Sequence, residues 1–326
     1  MPHQVFSDAD WIAAAARLSQ RGIPMSAPNP SVGCIIVKDG RVLARGWTQE
    51  GGRPHAEAHA LQALGGDASG ADIYVSLEPC AHVSQRGPSC ADLLVAAAPK
   101  RVIIGQLDPD PRTSGKGVKR LKSEGIVADV LDSQHARQSL SGYMMQAEHG
   151  RPFITLKLAV SSDGFIARKA PKNQCEDQWI TGEEARAHVH SRRAKQDAIL
   201  VGGGTWRADN PRLDVRLPGL ENRSPTRYLL TRNPPEKGAK SLKMLKNVDQ
   251  MTDIHTLYVE GGAQTAQSFL EADLVDRIEL YTAPITIGDG TKAPAGILPA
   301  ALQKWQLVET CQLGSDHFAA YQRKQA

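Results

Sequence analysis

The sequence predicts two α/β domains in tandem, and three observations carry that prediction. The chain has 326 residues, about twice the roughly 150 residues that one hydrophobic core comfortably serves. Each half alternates helical and strand-like runs, the pattern of a sheet covered by helices. A helical run then ends in "EHGRP", Glu148 to Pro152, where glycine and proline interrupt the pattern. The expected division is into residues 1–148 and 149–326.

In the first half, Ser7 and Asp8 offer N-caps for a helix through "WIAAAARLSQRG", with Gly22 as the residue that stops it. "VGCIIVKDGRVLARGW" is two apolar runs around Asp39-Gly40, a hairpin signal. A helix through "HAEAHALQAL" and a strand at "DIYVSL" follow, then a helix from near Ala91 to Ala98. "RVIIGQL" reads as a strand, "GVKRLKSEG" as a helix, "IVADVL" as a strand and "HARQSLSGYMMQAEHG" as a closing helix. The second half opens with the strand "PFITLKLAV". Thr181 and Glu184 have the spacing of a capping box for the helix "GEEARAHVHSRRAKQ". "DAILVGGG" is a strand, followed by a Pro- and Arg-rich loop. The strands "TRYLLT" and "TLYVEGG", the helix "AQTAQSFLEA" and the strand "RIELYTAP" complete the domain. No internal repeat relates the halves.

Composition narrows the function classes. The chain is 41% hydrophobic and 23% charged without low-complexity tracts, as a globular protein is. A net charge of +4 with scattered basic residues does not argue for nucleic acid. The short clusters "SRRAK" and "GVKRLK" read as solvated helix faces. The sequence shows no leader pattern and no run of about 18 apolar residues, so a cytoplasmic protein that engages no membrane is expected. Five cysteines, an odd number, argue against a disulfide framework.

The chemistry is concentrated in "PHAEAHA", Pro54 to Ala60. His55 and His59 stand at i and i+4 and could share a metal, but the protease motif places its glutamate directly after the first histidine, and Glu57 is one position further on. Taken alone, "HAEAH" is as well explained by a polar helix start. The segment "LEPCAHVSQRGPSCADLL" changes the balance. His55, Cys80 and Cys90 supply the three ligands of a zinc site with an open fourth position, leaving Glu57 free to carry protons. His-x-Glu with Pro-Cys and a second cysteine matches the signature of zinc deaminases of nucleobase-like rings, except that the signature spaces its cysteines C-x-x-C and here nine residues intervene. A closed structural zinc site would want a fourth ligand, His59 or His82.

The blocks "APNPSVGCIIVKDG", "PHAEAHAL", "LEPCAH", "DPDPRTSGKG", "LKLAVSSDG", "QWIT", "ADNPRLDVR" and "YVEGGAQTAQSFL" span nearly the whole chain. In that order they resemble the bifunctional deaminase/reductase family of riboflavin biosynthesis. The resemblance implies a cytidine-deaminase-like α/β/α sandwich, a zinc-dependent deaminase, over residues 1–148. It implies a dihydrofolate-reductase-like α/β domain, an NADPH-dependent reductase, over residues 149–326. The implied substrate is a small molecule, a diaminopyrimidinone ribosylamine phosphate. It is deaminated with release of ammonia, and its ribosyl group is then reduced to ribityl. A homo-oligomer is also expected.

Residue by residue, the resemblance makes His55, Cys80 and Cys90 the zinc ligands and Glu57 the proton carrier, with His59 packed behind the site. Asn29 and His82 match pyrimidine-binding positions. "DPDPRTSGKG" lacks the spacing of a nucleoside-triphosphate loop. The loop between the cysteines is one residue longer than the family's "PCSHxGxTPPC", with Arg86 where a cation is expected. Thr48 stands where many members have histidine.

In the second half no G-x-G-x-x-G occurs, but "LVGGGTW" and "YVEGGAQT" bring glycines to strand ends, where backbone amides can approach phosphate. The resemblance assigns Ala159, Trp179, Thr205 and Asp209 to NADPH, along with the run Gly262, Ala263, Gln264, Thr265, Ala266, Gln267 and Ser268. It assigns Asp177, Arg193, Leu213, Arg216 and Glu260 to the substrate, with Lys157 as an addition. The product must be protonated, by Asp209, the catalytic candidate, by Lys157, or by water. Two rivals keep the zinc residues: a deaminase of nucleosides or of a transfer RNA loop, and a non-catalytic zinc-stapled module.

Overall fold

The computed structural model describes residues 6–82, 87–169, 179–233, 238–297 and 299–324. The chain packs as two compact units, residues 1–150 and 151–326.

The first unit opens with α1 (Asp8–Ser19), capped by Ser7 and Asp10 in a reciprocal box. The helix ends before Gly22, which has a different duty from the expected stop. A Cβ there would sit 2.3 Å from Ser31 Oγ and 2.6 Å from the Thr48 carbonyl oxygen, so the glycine permits a close crossing. Strands β1 (Gly33–Lys38) and β2 (Arg41–Trp47) form the expected hairpin, with Asp39 and Gly40 at φ 52 and 74. Then come α2 (Ala56–Gln62), β3 (Asp72–Val75), α3 (Cys90–Ala96), β4 (Arg101–Ile104), α4 (Lys116–Ser123) and β5 (Val127–Val130). The closing helix is two, α5 (Gln134–Ser139) and α6 (Ser141–His149), and Gly150 ends the second in a left-handed cap.

The sheet order is β2-β1-β3-β4-β5, with β1 antiparallel to both neighbours and the last three strands parallel. Alternation along the strands divides the core. Cys34, Ile36, Ile73 and Ile104 face Ala60, Leu94 and Leu121. Ile35, Val37, Tyr74 and Ile103 face Ile12 and Ala15 on α1 and Ala136 on α5. This is an α/β/α sandwich, as the sequence predicts.

The second unit runs β6 (Phe153–Ser161), β7 (Phe165–Arg168), α7 (Glu183–Arg193), β8 (Ala198–Gly202), α8 (Gly203–Asp209), β9 (Thr226–Leu230) and β10 (Lys240–Leu242). It continues with β11 (Thr256–Val259), α9 (Ala263–Glu271), β12 (Arg277–Ala283), β13 (Gly290–Lys292), β14 (Trp305–Leu313) and β15 (Asp316–Arg323). The main sheet has the order β10-β9-β8-β11-β6-β12-β15-β14 and is parallel through β12. The hairpin β14–β15 closes it antiparallel, while β7 and β13 pair separately.

Three local expectations need correcting. The N-cap of α7 is Gly182, without a side-chain cap, so Thr181 and Glu184 form no capping box. Gly182 N instead donates to Asp316 Oδ2 at 2.6 Å. The strand expected to run through "DAILVGGG" ends at Gly202, and Gly203 opens a helix, α8, where a loop was expected. The β14–β15 hairpin was not anticipated, because β14 is mostly exposed and lacks an apolar run.

Candidate active sites

In the first unit, His55 is the N-cap residue of α2, Cys80 follows the end of β3, and Cys90 is the first residue of α3. The cap of α3 is Ser89, which accepts from Asp92 N. One ligand atom from each of His55, Cys80 and Cys90 lies within 4.8 Å of the other two. His55 Nδ1 is 3.3 Å from Cys90 Sγ and 3.6 Å from Cys80 Sγ. Cys90 N donates to Cys80 Sγ at 3.3 Å, and Ala91 N to the Cys80 carbonyl at 3.0 Å. One imidazole and two sulfurs at this spacing suit a zinc ion with a fourth position left open.

The two thiols share a hydrogen bond that draws Cys80 down and, with burial, pushes Cys90 up. The Cys80 thiol is pulled down to about 4, chiefly by its bond with Cys90; burial opposes this and His55 adds to it. Glu57, in the first turn of α2, is only 3% exposed. Burial raises its carboxyl, and its side chain bonds that of Cys90.

The other polar residues of this region fall around that centre. Asn29 Nδ2 donates to the Gly52 carbonyl at 3.0 Å and lies 3.4 Å from His55 Nε2. His59 stands apart from the cluster: its Nδ1 is 2.9 Å from Gln49 Nε2 and its ring meets Trp47 edge-on. His82 Nδ1 contacts Thr113 Oγ1 at 3.4 Å, and His82 does not join the three residues of the cluster. Thr48 is buried and accepts from Val32 N at 2.9 Å. Arg86 lies outside the described residues. Sequence reasoning passed over Glu78. This buried carboxylate accepts from the backbone of Asp108, Gly115 and Val118, tying the "DPDPRTSGKG" loop to the turn that carries Cys80.

In the second unit, β8 and β11 are parallel neighbours, so both glycine clusters emerge at the carboxyl end of the sheet. A Cβ on Gly202 or Gly261 would lie 2.3 or 2.5 Å from Thr265, so glycine lets α9 approach both strand ends. Gly262 N donates to Thr205 Oγ1 at 3.2 Å. Beside them is a cavity of about 920 Å³. Of the expected residues, Lys157, Ala159, Trp179, Arg193, Thr205, Asp209, Arg216, Glu260, Gly262 and Ala263 line it. Trp179 is 60% exposed and stacks under the Arg186 guanidinium. Leu213 and Ala266 are buried, and Gln264, Thr265, Gln267 and Ser268 continue along α9 away from the lining. Asp177 lies outside the described residues.

The polar heart of the cavity is an ion cluster. Arg193 donates to both oxygens of Glu260, at 2.6 and 2.9 Å, and Lys157 Nζ stands 3.7 Å from the same carboxylate. Burial pushes Glu260 up, but Arg193 and then Lys157 outweigh it and hold the carboxyl down to about 2. Burial lowers Lys157, with Glu260 opposing. Arg186 and His190 also line the cavity and were missed. Their signal was present, since Arg186, His190 and Arg193 fall at i, i+4 and i+7 on one helix face.

Comparison with known proteins agrees with this geometry. Residues 7–106 match the cytidine and deoxycytidylate deaminase zinc-binding region, and residues 152–319 match the RibD C-terminal domain. The chain is 34% identical to the riboflavin biosynthesis protein RibD of Escherichia coli over 334 residues, covering 87% of this chain and 90% of that protein. It belongs to the RibD family. The RibD of Aquifex aeolicus is also 34% identical, over 87% of this chain and 88% of the relative. The structure of Acinetobacter baumannii RibD, form 1, superposes with a TM-score of 0.83 at 31% identity, over 98% of this chain and 99% of that one. A deaminase/reductase of Thermotoga maritima gives a TM-score of 0.84 at 29% identity, over 97% and 99%. As a RibD-family protein the chain is a bifunctional riboflavin-biosynthesis enzyme, a deaminase and a reductase, and its cofactors are zinc and NADPH. Among the described residues no helix is long and apolar enough to cross a membrane.

Proposed function

We propose that His55, Cys80 and Cys90 hold the zinc and that Glu57 is the proton carrier of the deaminase. The substrate is a diaminopyrimidinone ribosylamine phosphate and the product 5-amino-6-(5-phosphoribosylamino)uracil, the molecule named for the Thermotoga relative's reductase. The observation that carries the reading is the three-ligand cluster with a buried carboxylate beside it and no fourth ligand among the described residues. Zinc held there activates a water for attack at neutral pH. Glu57 takes one proton from the attacking water and gives it to the ring nitrogen, then takes the second from the added hydroxyl as the carbonyl forms and gives it to the amine, which departs as ammonia. Asn29 and His82 orient the pyrimidine.

In the second domain NADPH supplies hydride to the opened ribose. Ala159, Trp179, Thr205, Asp209 and the run Gly262 to Ser268 bind the cofactor. Arg193, Leu213, Arg216, Glu260 and Lys157 form the substrate side, with Asp177 as a further contact. Asp209 protonates the product, and Lys157 is the alternative donor. The functional domains meet near residue 148, and the enzyme works as a homo-oligomer in the cytoplasm.

The test is to incubate the zinc-loaded chain with the diaminopyrimidine and follow both products by mass, with and without NADPH. Ammonia release is expected in both arms and the ribityl product only with NADPH. Ammonia release that survives complete removal of zinc would reject the deaminase assignment. Asp209→Asn should slow pyrimidine-dependent NADPH oxidation by at least about a hundredfold, the scale of a lost general acid, while sparing ammonia release. Equal loss of both activities would count against its assigned role.

A further inference from the structure

His190 lines the reductase cavity between Arg186 and Arg193 on α7, yet the chemistry above gives it no task. Its Nδ1 is 3.1 Å from the Asp214 carbonyl oxygen and 3.3 Å from Arg216 N. With a proton on Nδ1 the ring donates to Asp214; without one it accepts from the Arg216 amide. Either neutral tautomer therefore ties α7 to the backbone of residues 214–216. Burial, then the charges of Arg193 and Arg216, lower the His190 pKa and keep the ring neutral.

The segment it grips needs holding. Leu213, the residue just before it, has a φ of 54, a left-handed conformation that a bulky side chain keeps only when its surroundings enforce it. Leu213 is buried with Trp206 and Tyr258. Arg193 Nη1 adds a second tie to the Asp214 carbonyl at 3.1 Å. The basic groups on this side of the cavity are not equally available. Glu260 occupies the Nε–Nη2 edge of Arg193 and the Asp214 carbonyl takes Nη1, whereas among the described residues the Arg216 side chain has a 3.4 Å contact with Asp214 and is half-exposed. Arg216 is thus the guanidinium best able to take up a phosphate.

We propose that His190 is a positioning residue of the reductase site, clamping the 214–216 backbone so that Arg216 meets the phosphate monoester of the substrate. The proposal rests on the reductase reading above.

Steady-state kinetics of the full zinc-loaded chain, with the deaminated pyrimidine phosphate and NADPH, test it. His190→Ala should raise the KM for the pyrimidine phosphate about tenfold, the equivalent of one well-placed hydrogen bond. The kcat and the KM for NADPH should stay nearly unchanged. His190→Asn sets an amide where Nδ1 stands and should recover most of the loss; His190→Gln, whose amide reaches the place of Nε2, should not. An unchanged KM in His190→Ala overturns the proposal, as does rescue by glutamine and not by asparagine. A loss shared by kcat and NADPH binding that asparagine fails to repair overturns it too. Failure of the unsubstituted chain to oxidise NADPH with this pyrimidine would instead reject the reductase reading on which the proposal stands.

Discussion

Glu57→Gln should keep the zinc content of the parent chain and release ammonia about a hundred to ten thousand times more slowly, the range attributed to a positioned acid–base group. The substitution preserves shape but replaces the oxygen that can accept and return a proton with an amide nitrogen that can only donate. Glu57 is almost fully buried, so bulk water is poorly placed to take over. Elemental analysis and an ammonia assay on the same sample decide the matter. Cys90→Ser is the contrast, since it should lose metal and ammonia release together. A full rate in Glu57→Gln would remove the residue from the mechanism, and loss of zinc would recast it as a ligand.

Glu260→Gln should destabilise the reductase domain by about 3–5 kcal/mol, because deleting one partner of a buried ion cluster strands the others. Arg193 and Lys157 both converge on this carboxylate, and the side chains of Arg193 and Glu260 are 11% and 10% exposed. The same cluster predicts an acid response. The folded-state pKa of Glu260, about 2, lies below its ordinary value of 4.5. Its stabilisation is therefore complete above pH 4.5 and is lost as pH falls from there toward 2. Denaturant unfolding of the parent and Glu260→Gln chains across that window should converge at the acid end. Equal stability of the two chains at neutral pH would show that the cluster contributes nothing.

Much of the first domain was legible because its signals are local. Asp39-Gly40 fixes a hairpin by backbone preference alone, and the spacing of His55, Glu57, Cys80 and Cys90 narrows the chemistry before any fold is known. What escaped depends on neighbours distant in sequence. Gly22 looks like a helix stop, yet Ser31 and Thr48 are what require a glycine there. Thr181 and Glu184 have the right spacing for a cap, but the helix begins one residue later, from Gly182, whose amide Asp316 holds. The pairing partner of β14 makes it a strand despite its polar, exposed face. His190 shares a helix face with Arg186 and Arg193 in the sequence, but what it holds shows only beside Asp214 and Arg216.

The Glu78 carboxylate, gripping three amides of the 108–118 stretch, welds two stretches of chain that could otherwise drift apart in evolution. Lengthening or trimming either one would be felt as a tilt of the Cys80 sulfur. Anyone grafting this region between homologues must therefore move both pieces as a single cassette.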